Sequence, residues 1–325
     1  MSGDDESSGW QLTESDPGVF TELLKTLGVP LIVDDLYSLD AESLASLQPL
    51  HALIFLFKWL PSSSDNAPSE LAGEYDQQFA GFFAHQVVNN ACATLAVLNA
   101  LGNIPSLSTG PQLADLISFT TGMDPQTRGM VITSADWLRE AHNSLSPPSA
   151  ISLDGLGRPR KSEDAYHFVV YLPVMGALYE LDGLKPHPVR HGSFEERGEG
   201  WVKKARQVIE SRIATYPVDA LEFSLLALRD DPLPSLQSSL LRAQTSGEAA
   251  ATATILSRIS SEHSKRERWS FENSLRRHNH VGLVHALLLG LAKGGRLSSA
   301  QEEAKKIMQV RIDRQKSRGQ EMDED

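Results

Sequence analysis

The chain holds one cysteine in 325 residues. A single thiol excludes an intrachain disulfide framework, a zinc ribbon, a RING-type site and a CxxC redox pair. It suits a reducing, intracellular setting. Long hydrophobic runs are missing too. The densest, Leu53-Ile54-Phe55-Leu56-Phe57, falls far short of the roughly 20 residues of a membrane helix. The N-terminus MSGDDESSG is polar and acidic, so no signal peptide is expected. There is no GxxxxGK[ST] phosphate loop, no usable GxGxxG and no HExxH. Aromatic residues make up 7% of the chain, which leaves few platforms for stacking on single-stranded nucleic acid.

What is present describes a globular, acidic protein. Hydrophobic residues reach 41%, charged residues 22%, and the formal net charge is −12. The length suggests about two domains. Charge is unevenly placed. Ser260 to Arg318 holds 13 basic and 6 acidic residues, and Gly319 to Asp325 holds four acids. The body, 1–259, therefore carries −15. An acidic body favours a basic ligand over nucleic acid, while the basic segment points to a different partner. Residues 1–8 and the acidic tail 319–325 read as disordered.

Patterning gives an order of mixed α and β up to about residue 229, then all α. A helix is expected over Val19–Leu27, capped by Thr13 or Ser15 and stopped by Gly28 and Pro30. Leu31–Val33 and Ala52–Phe57 read as buried strands. Pro61 to Gly73 reads as a surface loop. Asn89-Asn90 should cap a helix that starts near Cys92 and ends at Gly102. Gln112–Thr121 and Ser134–His142 show helical periodicity. Asn143 to Asp164, rich in Pro and Gly, is a long loop of the kind that is generally functional or disordered. Ala165–Leu172 and Ala177–Leu181 form a hairpin, 201–216 a helix, and Leu221–Leu228 a strand. Asp230 to Pro234 marks a boundary. Beyond it, Ser235–Ala243, Ala249–Arg277, Val281–Leu291 and Ser299–Arg314 are helical.

The lone Cys92 sits where a helix should begin. A free thiol is only a few per cent ionised at neutral pH, and a helix N-terminus or a neighbouring imidazolium favours the thiolate. Gln86, six residues earlier, offers an amide suited to an oxyanion. His167 lies on the first hairpin strand and Asp182 just past the second. If the turn is Val174-Met175 they lie opposite one another. If it is Met175-Gly176 they are diagonal neighbours on one face. A three-residue loop would put them on opposite faces. A buried packing cysteine and a core histidine remain the simpler readings of these residues alone.

Longer motifs decide between them. Gln86-Val-Val-Asn-Asn-Ala-Cys92-Ala-Thr-Leu resembles the active-site segment of the ubiquitin C-terminal hydrolase family. Tyr166-His167-Phe168 and Gly176-Ala-Leu-Tyr-Glu-Leu-Asp182-Gly183 resemble its His and Asp strands. Thr13 to Phe20 and His51 to Trp59 agree, and are most similar to the proteasome-associated subfamily. The resemblance covers 9–229. It implies a papain-like α+β fold, an antiparallel sheet flanked by helices in α/β/α fashion. It implies Cys92 as nucleophile, His167 as general base and then acid, Asp182 as its orienter and Gln86 as oxyanion donor. No cofactor or metal is implied. Segment 143–164 would cross over the active site.

The division that follows is a catalytic domain 9–229, a helical linker 230–265 and a helical C-terminal domain 266–318. Arg276-Arg277-His278-Asn279 resembles the signature of the subfamily's C-terminal extension, shared with larger nuclear relatives, and implies partner docking there. The usual aromatic and Pro-containing continuation is replaced by His280-Val281-Gly282-Leu283. Ubiquitin, its conjugates and a proteasomal ubiquitin receptor are the implied partners, in cytoplasm and nucleus. Two rivals stay open. One is a nucleic-acid binder resting on Arg266, Arg268, Arg276 and Arg277. The other is a silent ubiquitin-binding scaffold.

Overall fold

The computed structural model describes residues 8–58, 73–146, 166–195, 197–216, 223–278 and 281–307. Most of the expected Pro61–Gly73 loop, most of the 143–164 crossover segment, Asn279, Arg311–Arg318 and the acidic tail lie outside them. The chain divides into two units. The larger holds residues 1–146 and 159–277, the smaller 147–158 and 278–325.

In the larger unit the elements run α1 (Pro17–Thr26), β1 (Leu31–Asp35), α2 (Ala41–Ser46), β2 (Leu50–Lys58), β3 (Glu74–Tyr75), α3 (Cys92–Leu101), α4 (Pro111–Phe119), α5 (Pro125–Thr133) and α6 (Asp136–Asn143). Then follow β4 (Tyr166–Val174), β5 (Ala177–Leu181), β6 (Val189–Ser193), α7 (Trp201–Ile213), β7 (Phe223–Asp230), α8 (Pro232–Thr245) and α9 (Ala249–Arg276). The strands form one seven-stranded antiparallel sheet in the order β1-β7-β2-β4-β5-β6-β3.

The sheet has two buried faces because its central strands are apolar on both sides. Phe168, Val170 and Leu172 of β4 join Phe20 and Leu24 of α1 and Leu95 and Leu98 of α3 in one core. Val169 and Tyr171 face the other way, against Leu44 of α2 and Val202, Val208 and Ile209 of α7. This is the α/β/α arrangement expected. Each fully buried Leu or Phe adds about 1.5–3 kcal/mol, so the two faces together fix the register of β4.

Local chemistry departs from expectation at the helix starts. The cap of α1 is Asp16, whose Oδ1 accepts from the Val19 N–H at 3.1 Å, not Thr13 or Ser15. The Thr13 hydroxyl instead lies 3.1 Å from His142 Nε2, and Ser15 bonds Ser224. Asp40, Asp124 and Asp231 cap α2, α5 and α8. Part of the acidic excess is thus spent on helix N-termini, where carboxylates bond free N–H groups and meet the positive end of the dipole.

The hairpin joining β4 to β5 turns at Met175-Gly176, both with positive φ, at +48° and +77°. Val170 pairs with Leu181 and Val174 with Ala177. That is a type I′ geometry, whose twist matches the strands, and it selects the diagonal register for His167 and Asp182.

After α8, helix α9 runs unbroken through residue 265, where the sequence suggested a linker would give way to a separate domain. It stays with the larger unit by packing on α1. Trp269 and Asn273 are buried, and Asn273 Nδ2 donates to Gly18 O at 3.0 Å. In the smaller unit, α10 (Val281–Lys293) is followed by helical residues 297–307. Leu283, Val284, Leu287, Leu288 and Leu289 of α10 are exposed. Among the described residues no helix is long and apolar enough to cross a membrane.

Candidate active site

The site collects side chains from α3, the extended segment before it, and the hairpin. Cys92 is the first residue of α3 and is half-buried. The helix has no side-chain cap; the residue ahead of it is Ala91. Asn90, expected to cap, sits in the left-handed region at φ +66° and sends its Nδ2 to Trp10 O at 3.0 Å. Its departure matters chemically. A capping side chain bonds an N–H of the first turn, and those amides are the backbone donors available to an anion beside Cys92.

His167 and Asp182 are each 5% exposed. His167 Nε2 donates to Asp182 Oδ1 at 2.6 Å, and the same Oδ1 accepts from Leu184 N–H at 2.9 Å. With Nε2 taken, Nδ1 is the ring nitrogen left for the side-chain bond that His167 also shares with Cys92. Burial by itself would lower the imidazole pKa. The bonds and charges of Asp182 and Cys92 outweigh it and raise the value to about 9. The ring is therefore an imidazolium at neutral pH, in contact with the thiol. Phe57, directly across on β2, closes over it edge-on with ring centroids 5.9 Å apart.

Gln86 lies in the segment that leads into α3. Its N–H donates to Gly183 O at 2.8 Å, so the residue next to Asp182 holds the residue expected to bind an oxyanion. The Gln86 Oε1 is buried and has no hydrogen-bond partner among the described residues. The structure thus brings Cys92, His167, Asp182 and Gln86 together. The residues expected for partner docking begin at the end of α9. Arg276 bonds Glu14 and Asp16 at 3.0 Å each, and Arg277 bonds Glu22 at 2.9 Å. These cations tie α9 to the N-terminal part of the same unit. Among the described residues no group of three or more His, Cys, Asp or Glu could hold a metal ion.

Pattern reading missed the support beneath the site. His142 of α6 is buried and its pKa is lowered to about 4, because burial opposes charging more than its bond to Gln11 O favours it. The neutral ring accepts from Thr94 Oγ1 at Nδ1, 2.7 Å, and donates from Nε2 to Gln11 O, 2.7 Å. Glu180, two residues before Asp182, is buried against Lys185, Arg212 and His191 at 2.7, 3.0 and 3.4 Å. Burial would raise its pKa; Arg212 and Lys185 hold it well below the usual range. The helix around His142 and the apolar strand around Glu180 carry no local sign of either cluster.

A buried carboxylate orienting an imidazole that meets a helix-N-terminal thiol defines a cysteine hydrolase. The chain belongs to the ubiquitin C-terminal hydrolase family. Residues 10–214 match the model for ubiquitin carboxyl-terminal hydrolase, family 1, and residues 252–297 match a second ubiquitin carboxyl-terminal hydrolase model. The ubiquitin carboxyl-terminal hydrolase ubh-4 of Caenorhabditis elegans is 37% identical over 90% of each chain. Ubiquitin carboxyl-terminal hydrolase 2 of Schizosaccharomyces pombe is 37% identical over 87% of this chain and 91% of its own. Among solved structures, Trichinella spiralis UCH37 bound to ubiquitin vinyl methyl ester superposes with a TM-score of 0.64 at 33% identity, covering 80% of this chain and 99% of the other. The protein is a thiol-dependent deubiquitinating hydrolase.

Proposed function

We propose that the site cleaves the bond after the C-terminal glycine of ubiquitin, with Cys92 as nucleophile, His167 as proton carrier, Asp182 as its orienter and Gln86 as oxyanion donor. The observation that carries this is the His167 ring, bonded to Asp182 at Nε2, 2.6 Å, and to Cys92. The thiolate attacks the scissile carbonyl and a C–S bond forms. The Gln86 amide N–H and a first-turn amide of α3 hold the oxyanion. The tetrahedral species collapses, the C–N bond breaks, and the His167 imidazolium gives its proton to the leaving amine. Water then attacks the thioester while neutral His167 takes its proton. The C–S bond breaks, Cys92 leaves as the thiolate, and His167 keeps the proton taken from water, which restores the starting ion pair. Trapping with ubiquitin vinyl methyl ester tests the assignment. Wild type should form a covalent adduct and Cys92→Ala none; a wild type without an adduct, even with a proteasomal receptor added, would overturn it.

The finer role we assign is trimming or recycling of ubiquitin at the proteasome, in cytoplasm and nucleus. The exposed leucines of α10 support a docking role for the C-terminal helices. Arg276 and Arg277 contribute to it by holding α9 in place. Removing residues 278–325 should abolish co-purification with proteasomes while leaving adduct formation intact.

A further inference from the structure

Gln86 can stabilise an oxyanion only if its amide is aimed, yet nothing holds that amide by a side-chain bond among the described residues. Its aim depends on where its backbone is put. That backbone, the extended segment from Phe82 to Gln86, belongs to no sheet. It is paired with asparagine side chains. Ala84 N–H donates to Asn99 Oδ1 at 2.8 Å, and Asn99 Nδ2 donates to Ala84 O at 3.2 Å. Phe82 N–H donates to Asn103 Oδ1 at 2.8 Å, and Asn103 Nδ2 donates to Phe82 O at 2.7 Å. Each carboxamide satisfies both polar groups of one residue, as a neighbouring strand would.

The two repeats fit. Asn99 lies in α3, and Asn103 lies two residues past its end, in the closing turn where Asn103 N–H donates to Ala100 O at 3.0 Å. At the helical rise that step is about 6 Å, and two residues of extended chain advance about 6.6 Å. Positions 103 and 99 therefore meet positions 82 and 84, with the segment antiparallel to the helix. One more step sets Gln86 level with position 95, in the opening turn of the helix that begins at Cys92. The remaining backbone bonds agree with a pinned segment. Arg128 Nη1 donates to Phe83 O at 2.6 Å, and His85 N–H to Pro125 O at 2.9 Å. Asn99 is 1% exposed inside α3. Asparagine is a modest helix former, and burying its amide is costly without partners. Its place there is explained by the ladder.

We infer that Asn99, in the helix that carries the nucleophile, and Asn103, in the turn that closes that helix and bonded to Asn99 O at 2.7 Å, are positioning residues that fix the oxyanion glutamine, so that the Gln86-to-Cys92 spacing is set by α3 and its closing turn. The inference rests on the reading of Gln86 as oxyanion donor. The test measures kcat and KM of the full chain on a fluorogenic ubiquitin C-terminal amide, with Tm alongside. The variants are Gln86→Ala, Asn99→Leu, Asn103→Leu and the double variants Gln86→Ala with each asparagine change. Asn99→Leu should lower kcat roughly 10-fold, a part of the 10²–10³-fold carried by an oxyanion donor, with KM nearly unchanged. In the Gln86→Ala background the same change should cost less than about twofold, because an aim without a donor is worth nothing. Asn103→Leu should show the same coupling, and serves if Asn99→Leu does not fold. An equal kcat loss with and without Gln86, or a lower Tm with no coupled loss of kcat, would overturn the inference alone. Unchanged kcat in Gln86→Ala would overturn the oxyanion reading itself, and this inference with it.

Discussion

His167 is useful because two opposed forces act on one ring. Burial disfavours its charge, while Asp182 and Cys92 favour it and prevail, leaving a pKa of about 9. A donor proton is thus available to a leaving amine across the physiological range. In Asp182→Asn the ring loses its carboxylate, so the basic limb of the kcat/KM–pH profile should move down from about 9. The rate should fall by about 10²–10⁴-fold. An unmoved basic limb would show that Asp182 does not set the ring's charge. His142 has the opposite sign. Its folded pKa of about 4 lies below the ordinary 6.5, so the unfolded chain binds the extra proton between those values. Stability should therefore drop as pH falls from 6.5 to 4. The drop should be smaller in His142→Gln, read from urea midpoints. Gln86, Cys92, His167 and Asp182 were legible in the sequence as candidates because they stand in long motifs. His142 was not, since its partners Gln11 and Thr94 are 131 and 48 positions away.

At the scale of elements, strands and helices with strong periodicity were readable and weakly patterned ones were not. β4 and β5 announce themselves by apolar content, and the sequence left only their register open. Two positive-φ residues closed that question, which local propensity at Met175 does not reveal. α5 carries Pro125, Arg128 and Gly129, and β6 carries Arg190, His191 and Gly192; neither repeats with a clear period. The span of α9 was readable, Ala249–Arg277 expected against Ala249–Arg276 found, but its docking on α1 was hidden, because that partner lies at the far end of the chain. Trp269 is 6% exposed, and Trp269→Ala should cost about 3–5 kcal/mol in urea unfolding. Arg276→Ala should cost less, about 1–2 kcal/mol, since its partners Glu14 and Asp16 are 52% and 23% exposed and both bridges are screened. Comparable losses from the two changes would mean that charge, not burial, holds α9 to α1.

For the molecule as a whole, the acidic body and basic C-terminal segment remain the main electrostatic fact. A body at −15 over residues 1–259 should draw in a basic ubiquitin tail by long-range attraction. Raising ionic strength should therefore lower kcat/KM on ubiquitin substrates, chiefly through KM; salt-independent kinetics would remove steering from the account. Fold class was legible at this scale because it depends on the order of apolar segments. The division of the chain was less so, because helix α9 crosses the expected border without a break. One small feature links the two halves of the site. A Cβ added at Gly183 would lie 3.0 Å from Gln86 N and 3.2 Å from Gln86 Cβ, while its neighbour Asp182 grips His167. A side chain at that one position would push the Gln86 backbone aside by a few tenths of an ångström. With the Gln86 N–H bonded to its carbonyl, that glycine is the joint between the two roles proposed for the site, and the aim of Gln86 constrains what can stand beside Asp182.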